Sequence, residues 1–143
     1  MSINTLAPGF LLAAPRLGDP NFERRVVLLG KHDESGALGW VLNGRSLASV
    51  RKVLKLAGIL QDDGPETEDE NLARRASVGG PVSSGSVWML YQRIAGRGLP
   101  GEIVLHETLA ATGDGDAVRG LAEASRPPRF RLLLGYAGWS KGQ

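Results

Sequence analysis

Four short blocks rich in glycine, proline and asparagine do most to limit what this 143-residue chain can fold into. They lie at residues 10–22, 36–43, 79–82 and 134–139, and each joins a run of apolar residues to turn-forming ones. Glycine permits positive φ and close backbone approach, proline fixes its own φ, and asparagine tolerates the left-handed conformation. The blocks therefore predict strands that end in tight turns, and they bring no evident nucleophile or metal cage.

The composition excludes several classes of protein. The chain has no cysteine, which rules out disulfides, thiolate nucleophiles and cysteine-ligated metal centres and suits a cytoplasmic protein. No apolar run approaches the ~20 residues that span a bilayer, and the run at 10–14 is too short for a signal-peptide core, so we expect no membrane partner. A chain of this length buries roughly 70% of its unfolded surface. We therefore expect one domain over residues 1–143 that holds its core without metal or cofactor.

The charges are unevenly distributed, although the formal net charge is only +2. Six acidic residues fall within 62–70, which leaves nine acidic residues elsewhere to face seventeen basic ones. Two interpretations are open. The cationic body forms a surface for anions or nucleic acid that the acidic segment partly masks, or both are ordinary solvated surface beside a flexible loop over 61–73.

Hydrophobic periodicity predicts a mixed fold. Apolar runs predict strands over 10–14, 26–30, 37–42, 86–91, 102–106 and 129–136, with 76–82 entering a turn and 31–36 forming a hairpin connection. One helix is predicted over 47–57, capped by Ser46 and closed by Gly58, and a second begins at Asp114 or Asp116 and stops by Ser125. Six or seven strands with two helices, mostly joined by short loops, indicate an α+β fold with a mainly antiparallel sheet.

The four blocks together resemble the AlgH/YqgE family of bacterial proteins. The shared features are Leu-Leu-Ala-Ala-Pro with residues 19–22, a His-Asp pair before residues 36–43, Gly-Gly-Pro-Val at 79–82, and Leu-Gly-Tyr-Ala-Gly-Trp at 134–139. The match spans residues 8–143. It implies a bifurcated sheet that curls into a pseudo-barrel, and an occasional label as a transcriptional regulator, but no established reaction and no catalytic residue.

Three positions depart from the family pattern. Gly44-Arg45 follows Asn43 where a basic residue and proline are usual, and Tyr91 stands where histidine is common. The sequence also ends at Gln143, where family members continue into a further helix and a tail, so the chain is a short or truncated member. We expect the absent helix to leave apolar sheet uncovered and a second subunit to cover it, which makes a homo-oligomer.

The candidate site residues are polar or glycine residues at turns. Asp19 and Asn43 each end an apolar strand, where loop residues gather at one rim, although Asp19 and Asn21 can equally satisfy donors in their own turn. Gly79 and Gly80 can hold an anion through backbone N–H groups or simply form a turn. His32 joins this candidate binding set. Adjacent residues such as His32 and Asp33 rarely converge on one ion, so we predict no metal site.

Other residues have weaker functional interpretations. Arg126, Arg129 and Arg131 form the densest basic stretch and are candidates for contacts with nucleic-acid phosphates. Ser83, Ser84 and Ser86 lack the strand-to-helix elbow of a serine hydrolase and are predicted to lie in a polar loop. The tryptophans at 40, 88 and 139 are predicted to be core or edge aromatics that each carry a polar N–H group, and a binding groove that uses one of them is the alternative.

Three functions follow in order of preference. The first is a non-enzymatic cytoplasmic module that binds a protein partner or a small ligand, with a regulatory role. The second is a nucleic-acid-associated transcriptional regulator. The third is an enzyme, which would require residues such as Asp19, His32 and Asn43 or a loop serine to converge in one cleft.

Overall fold

The structure is a computed structural model that describes residues 9–12, 25–61, 70–93, 96–124 and 128–140. Asp19, Asn21 and Arg126 lie outside these ranges, as does most of the acidic segment. The nine strands within them are β1 Gly9–Leu12, β2 Val26–Asp33, β3 Gly36–Val41, β4 Ser46–Ser49, β5 Arg75–Val78, β6 Val82–Gln92, β7 Ile103–His106, β8 Leu109–Thr112 and β9 Phe130–Ser140. The helices are α1 Val50–Leu56, α3 Gly115–Glu123 and the single turn α2 Glu70–Ala73.

The sheet follows the strand order β1-β2-β3-β9-β6-β8-β7, with β4 and β5 on a side branch. Strand β9 is where the sheet divides. One edge of β9 pairs with β6, while its other edge pairs first with β5 through Leu133 and Leu134 and then with β3 through residues 137–140. The β5–β9 pair is parallel and the other pairs of described strands are antiparallel. The predicted α+β class and bifurcated, mainly antiparallel sheet are therefore confirmed.

The Gly-Gly-Pro block lies at this division. The N–H of Gly79 donates to the carbonyl of Leu134 in β9 at 2.7 Å, and its carbonyl accepts from the N–H of Val41 in β3 at 2.7 Å. Gly135 in β9 has φ of +76°, and a Cβ there would lie 2.3 Å from the carbonyl oxygen of Gly80. Only glycine tolerates both that φ and that close approach. The branch point therefore depends on two of the sequence blocks, the one at 79–82 and the one at 134–139.

The sheet curls until its ends approach each other. Leu28 of β2 and Leu105 of β7, from opposite ends of the strand order, belong to one buried cluster that also includes Trp40, Leu90, Ala111 and Leu133. A flat sheet could not bring these strands together, so the sheet forms a nearly closed barrel with one seam near β2 and β7. This confirms the predicted pseudo-barrel. Trp40, which was predicted to be a core or edge aromatic, lies in this inner cluster and is 1% exposed.

A second buried cluster lies on the other face of the sheet, under the helices. Val50, Val53 and Leu54 of α1 and Val118 and Ala122 of α3 pack there against strand residues. The strand residues alternate between the two clusters as a pleated sheet requires, so that the helix-side cluster takes Met89, Tyr91, Phe130 and Leu132. The two-helix prediction is confirmed, and the inner face predicted for α3 (Val118, Leu121 and Ala122) packs against the core.

The predicted start of α1 was wrong. Residues 46–49 form strand β4, and the helix begins at Val50 with Ser49 as its N-cap, whose hydroxyl accepts from the N–H of Lys52 at 3.2 Å. Leu47 was assigned to the helical face from periodicity alone. A single apolar position does not distinguish a partly buried strand residue from a helix residue. The end was right: Gly58 follows the helix with φ of +76°.

Three further predictions needed correction. The connection between β2 and β3 is only the two residues 34–35, since strand pairing continues to Asp33 and Gly36. Ser83, Ser84 and Ser86 lie within β6 rather than in a loop. Strand β8 was missed because Leu-Ala-Ala-Thr has little β-propensity on its own, and its pairing with β6 and β7 determines its conformation. No helix within the described ranges is long and apolar enough to cross a membrane.

Candidate functional site

A cleft of about 620 Å³ opens where β6 ends and β9 begins. Its walls come from the end of β6, the β7–β8 turn and the segment before β5. Three arginines and one histidine line it: Arg74, Arg129, Arg131 and His106. Among the residues that the structure describes, neither an aspartate nor a glutamate lines it. The cleft is therefore a cationic recess on an otherwise nearly neutral protein.

A second cleft of about 250 Å³ adjoins the first. The two share Arg74, Phe130 and Arg131, and the smaller one adds Arg75 with the hydroxyl residues Ser46 and Ser77. The part of the chain that the structure describes adds no acidic residue to its lining either. We call the two together the arginine cleft. Four arginines thus line two neighbouring clefts that share three residues.

The fold explains why these arginines face solvent. Phe130 and Leu132 are buried in the helix-side cluster, so the intervening Arg131 falls on the other side of β9 at the rim of the barrel. Arg129 precedes the strand and is exposed. Arg74 and Arg75 are exposed between two buried residues, Leu72 and Ala76. Buried neighbours on both sides fix the backbone and leave the guanidinium groups outside.

Two of the guanidinium groups are held by neutral acceptors. Arg131 Nη1 donates to the carbonyl of Leu42 at 3.3 Å, and Arg75 Nη1 donates to the carbonyl of Leu47 at 3.4 Å. These bonds orient the side chains without cancelling their charge. Within the described ranges, none of the four arginines forms a salt bridge with an acidic side chain. Their remaining N–H donors are therefore available to an anion.

The floor of the larger cleft rests on a buried polar contact. Tyr91 lines the cleft and is 2% exposed, and its hydroxyl donates to Glu102. Burial raises the pKa of the Tyr91 phenol, the hydrogen bond to Glu102 and that carboxylate's charge raise it further, and Arg93 opposes them. Arg93 also pairs with Glu102 at 3.4 Å. Glu102 is thus engaged beneath the cleft and does not line it.

His106 has a fixed ring orientation at the opposite wall. Its Nδ1 accepts from the backbone N–H of Thr108 at 3.4 Å and lies 3.2 Å from the Thr108 hydroxyl. Both residues belong to the tight β7–β8 turn, which explains why the contacts are local. With Nδ1 used in this way, Nε2 is the ring nitrogen left to meet a ligand.

Asn43, Gly79 and Gly80, all predicted binding residues, lie near one another. The Asn43 side-chain oxygen accepts from the backbone N–H of Val26 at 2.8 Å, which joins the end of β3 to the start of β2. Its neighbour Gly44 lies against the carbonyl of Val78, next to Gly79. Both backbone groups of Gly79 are occupied by strand partners. These contacts hold neighbouring strands together around the three residues. The binding role of the three residues stays a prediction.

His32, the remaining described residue of that set, lies apart from Asn43. In the β2–β3 hairpin Val27 pairs with Val41 at one end, whereas His32 pairs with Ala37 near the other. Five or six strand residues at ~3.3 Å each separate the two by close to 20 Å. The structure therefore does not bring His32 and Asn43 into one cleft. No cluster of three metal-ligating side chains occurs within the described ranges.

Sequence reasoning found only part of the arginine cleft. It identified Arg129 and Arg131 but missed Arg74, Arg75 and His106. The signal for Arg74 and Arg75 was present in the pattern Leu-Ala-Arg-Arg-Ala, where two charges are flanked by residues that can be buried. The strand order, which places β5 beside β9 in parallel, is what brings the two arginine pairs together, and no local pattern contains it.

Comparison with known proteins agrees with this architecture. The family model described as DUF179, AlgH-like, matches residues 10–143. A UPF0301 protein of Anaeromyxobacter sp. (strain Fw109-5) is 38% identical over 149 residues, covering 96% of this chain and 69% of the relative. A UPF0301 protein of Magnetococcus marinus is 37% identical, covering 100% and 72%.

Two solved structures share the fold. The solution structure of the AlgH protein from Pseudomonas aeruginosa superposes with a TM-score of 0.74 at 30% identity, covering 100% of this chain and 74% of that one. A crystal structure from Corynebacterium diphtheriae gives a TM-score of 0.69 at 26% identity, covering 100% and 71%. The family match over nearly the whole chain and the shared branched barrel lead to one conclusion: the chain belongs to the AlgH-like family.

Proposed function

We propose that this protein is a non-enzymatic binding module that holds a small anionic ligand in the arginine cleft. The observation that carries the proposal is that Arg74, Arg75, Arg129 and Arg131 line the arginine cleft, where the described residues contribute no aspartate or glutamate to the lining. These arginines come from two segments far apart in sequence, 74–75 and 129–131. Their charges repel one another, so an anion that binds among them relieves a cost of folding.

The size of the recess supports a small ligand. The larger part, about 620 Å³, falls within the ~300–1,000 Å³ typical of sites for small molecules. Arginine presents a planar fork of donors that matches carboxylate and phosphate oxygens. The ligand class that fits is a carboxylate or phosphate compound that also has enough apolar surface to contact Leu90 and Leu109.

The geometry favours binding over catalysis. Among the described residues, the serines of the arginine cleft, Ser46 and Ser77, line its smaller part, whereas His106 lines the larger part and is engaged with the neighbouring Thr108. An enzyme would also need candidate residues such as His32 and Asn43 to converge in one cleft. These two lie at opposite ends of the β2–β3 hairpin. A cytoplasmic location and a regulatory output remain predictions from the sequence.

Binding of pyrophosphate, compared between matched variants, tests the proposal. Each added arginine contact to an anion is worth ~1.5 kcal/mol, or close to tenfold in affinity. We expect Arg131→Gln and Arg74→Gln each to weaken binding about tenfold in isothermal titration calorimetry at low salt. Arg97→Gln removes the same charge from an exposed residue that lines neither part of the cleft, and it is expected to change affinity less than twofold. Equal losses in all three variants would mean that net charge, and not this cleft, attracts the anion.

A second candidate function, nucleic-acid binding, has one observation in its favour. Arg129 and Arg131 are exposed two residues apart and line the same recess, so successive phosphates could contact both. This candidate predicts that affinity for short DNA falls steeply with salt, with a slope that Arg129→Gln reduces by about one. A shallow slope with tight pyrophosphate binding favours the small ligand instead.

A further inference from the structure

A different cleft, which we call the β6 cleft, lies between strand β6 and the start of α3 and has a volume of about 560 Å³. None of the described residues lines both this cleft and the arginine cleft. The lining residues that matter for its chemistry are Ser83, Ser86, Trp88, Asp114 and Tyr136.

Strand β6 is irregular where it borders this cleft. Val82 pairs with Tyr136 and Val87 pairs with Leu134, so four residues of β6 oppose a single residue of β9. Ser83, the first of the four, has φ of +45°, and it is the one non-glycine residue with positive φ within the described ranges. Such strained backbone persists where the surrounding structure enforces it, and it is concentrated at ligand sites.

Unpartnered polar atoms mark the same place. Within the described ranges, three buried side-chain polar atoms lack a hydrogen-bond partner, and two of them belong to residues that line this cleft: Ser86 Oγ and Trp88 Nε1. Buried polar groups are nearly always paired, so each unpaired one requires an explanation. A serine hydroxyl can turn about χ1 toward a ligand at little cost. A ligand that accepts from the Ser86 hydroxyl would therefore give it the partner that the protein does not supply.

The remaining walls are aromatic and carry one negative charge. Trp88 and Tyr136 pack edge to face, with ring centroids 6.3 Å apart and an interplanar angle of 74°. Of the described residues that line the cleft, Asp114 is the one Asp or Glu, and none is a lysine, arginine or histidine. Its Oδ1 accepts from the N–H of Ala117 at 2.9 Å as the N-cap of α3. Its other carboxylate oxygen can accept a further donor, whereas an anion in this cleft would be repelled.

We propose that the β6 cleft binds a small, planar, uncharged molecule that carries a carboxamide or an equivalent paired acceptor and donor. The carbonyl of the ligand accepts from the Ser86 hydroxyl, its amide N–H donates to Asp114, and its ring packs against Trp88. This site is independent of the arginine cleft and selects the opposite chemistry, since an anion suits the arginines and a neutral amide suits Asp114.

Benzamide and benzoate, which share size and shape, are the probes that test this proposal. Benzoate replaces the amide by a charged carboxylate that cannot donate. For a ligand this small we expect benzamide to bind with Kd on the order of 1 mM. Binding is measured from the changes in backbone amide chemical shifts of a ¹⁵N-labelled sample. The shifts should concentrate on residues 83–88 and 113–114. Benzoate should bind there at least tenfold more weakly.

Variants locate the site. Ser86→Ala removes the unpaired hydroxyl and is expected to weaken benzamide about fivefold with no loss of folding stability. Gly85 has open space where a Cβ would lie, so Gly85→Leu should obstruct the cleft. Gly120→Leu places the same side chain in open space on α3, outside the cleft, and serves as the control for the substitution. Asp114→Asn keeps an N-cap but removes the charge, and it should reduce the discrimination against benzoate.

The proposal is overturned by any of three results. These are the absence of benzamide shifts up to about 10 mM, equal affinity for benzamide and benzoate as read from the shifts of residues 83–88 and 113–114, or unchanged benzamide affinity in both Ser86→Ala and Gly85→Leu. Arg131→Gln should leave benzamide binding unchanged, so the failure of this site and the failure of the arginine cleft give separate readouts.

Discussion

Thr112 offers a direct test of how the loop before β7 and the start of α3 are held together. Its side chain is fully buried, with 0% of its surface exposed. Its hydroxyl donates to the carbonyl of Pro100 at 2.7 Å and accepts from the N–H of Asp114 at 3.2 Å. One side chain thus connects the turn at 97–101, the end of β8 and the N-cap of α3.

The variant Thr112→Val keeps the shape of the side chain and removes both hydrogen bonds. A donor or acceptor left unsatisfied costs ~1–3 kcal/mol, and the partial exposure of Pro100 and Asp114 lets water offset part of that. We expect a loss of about 2 kcal/mol in the free energy of unfolding. Thr112→Ser keeps the hydroxyl and removes one buried methyl group, which costs about 1 kcal/mol.

Thermal and urea unfolding of the two variants measures the difference. For a chain of this size 1 kcal/mol corresponds to ~2–4 °C in Tm, so Thr112→Val should unfold near 6 °C below the wild type and Thr112→Ser near 3 °C below it. The result that refutes the reasoning is a Thr112→Val variant at least as stable as Thr112→Ser. It would mean that methyl packing, and not the two hydrogen bonds, holds this junction.

Two further predictions concern the branch point and the floor of the arginine cleft. Gly135→Ala should destabilise the fold by at least ~2 kcal/mol in urea unfolding, because of positive φ and the approach to Gly80, whereas Gly120→Ala, in open space on α3, should stabilise it by ~0.5–1 kcal/mol. Equal effects would contradict the branch-point argument. The raised pKa of Tyr91 means that the folded protein keeps this proton while the unfolded chain loses it near pH 10, so stability is full below pH ~10 and falls as pH rises further. Absorbance at 295 nm should show this ionisation shifting to lower pH in Glu102→Gln, and an unchanged titration would count against the Tyr91–Glu102 contact.

The sequence predicted those parts of the fold that depend on local rules. Tight turns and the inner face of α3 at Val118 follow from residue type and spacing, and the structure confirms them. The sequence left Asp114 and Asp116 open as the start of α3, and the structure has Asp114 as its N-cap. The errors arose where tertiary pairing overrides local preference. Residues 46–49 became a strand because they pair with β5, and Leu-Ala-Ala-Thr at 109–112 became a strand because β6 and β7 lie on either side of it.

The candidate site was less accessible from sequence for the same reason. Arg129 and Arg131 attracted attention because they are dense in sequence, but Arg74 joins them only through the parallel pairing of β5 with β9. The Gly79-Gly80 block drew a binding interpretation, yet both backbone groups of Gly79 are occupied at the branch point. Local chemistry identifies residue types, whereas the convergence of residues from distant strands requires the strand order.

Chemical-shift mapping of pyrophosphate on the ¹⁵N-labelled protein tests the central claim most directly. The account predicts that, at low salt, saturable shifts concentrate on residues 74–75, 106–109 and 129–131, with little change in α1 or at Arg97. Shifts that scatter over all basic residues without saturating, or that concentrate away from β5 and β9, would contradict the claim that these arginines form an anion site.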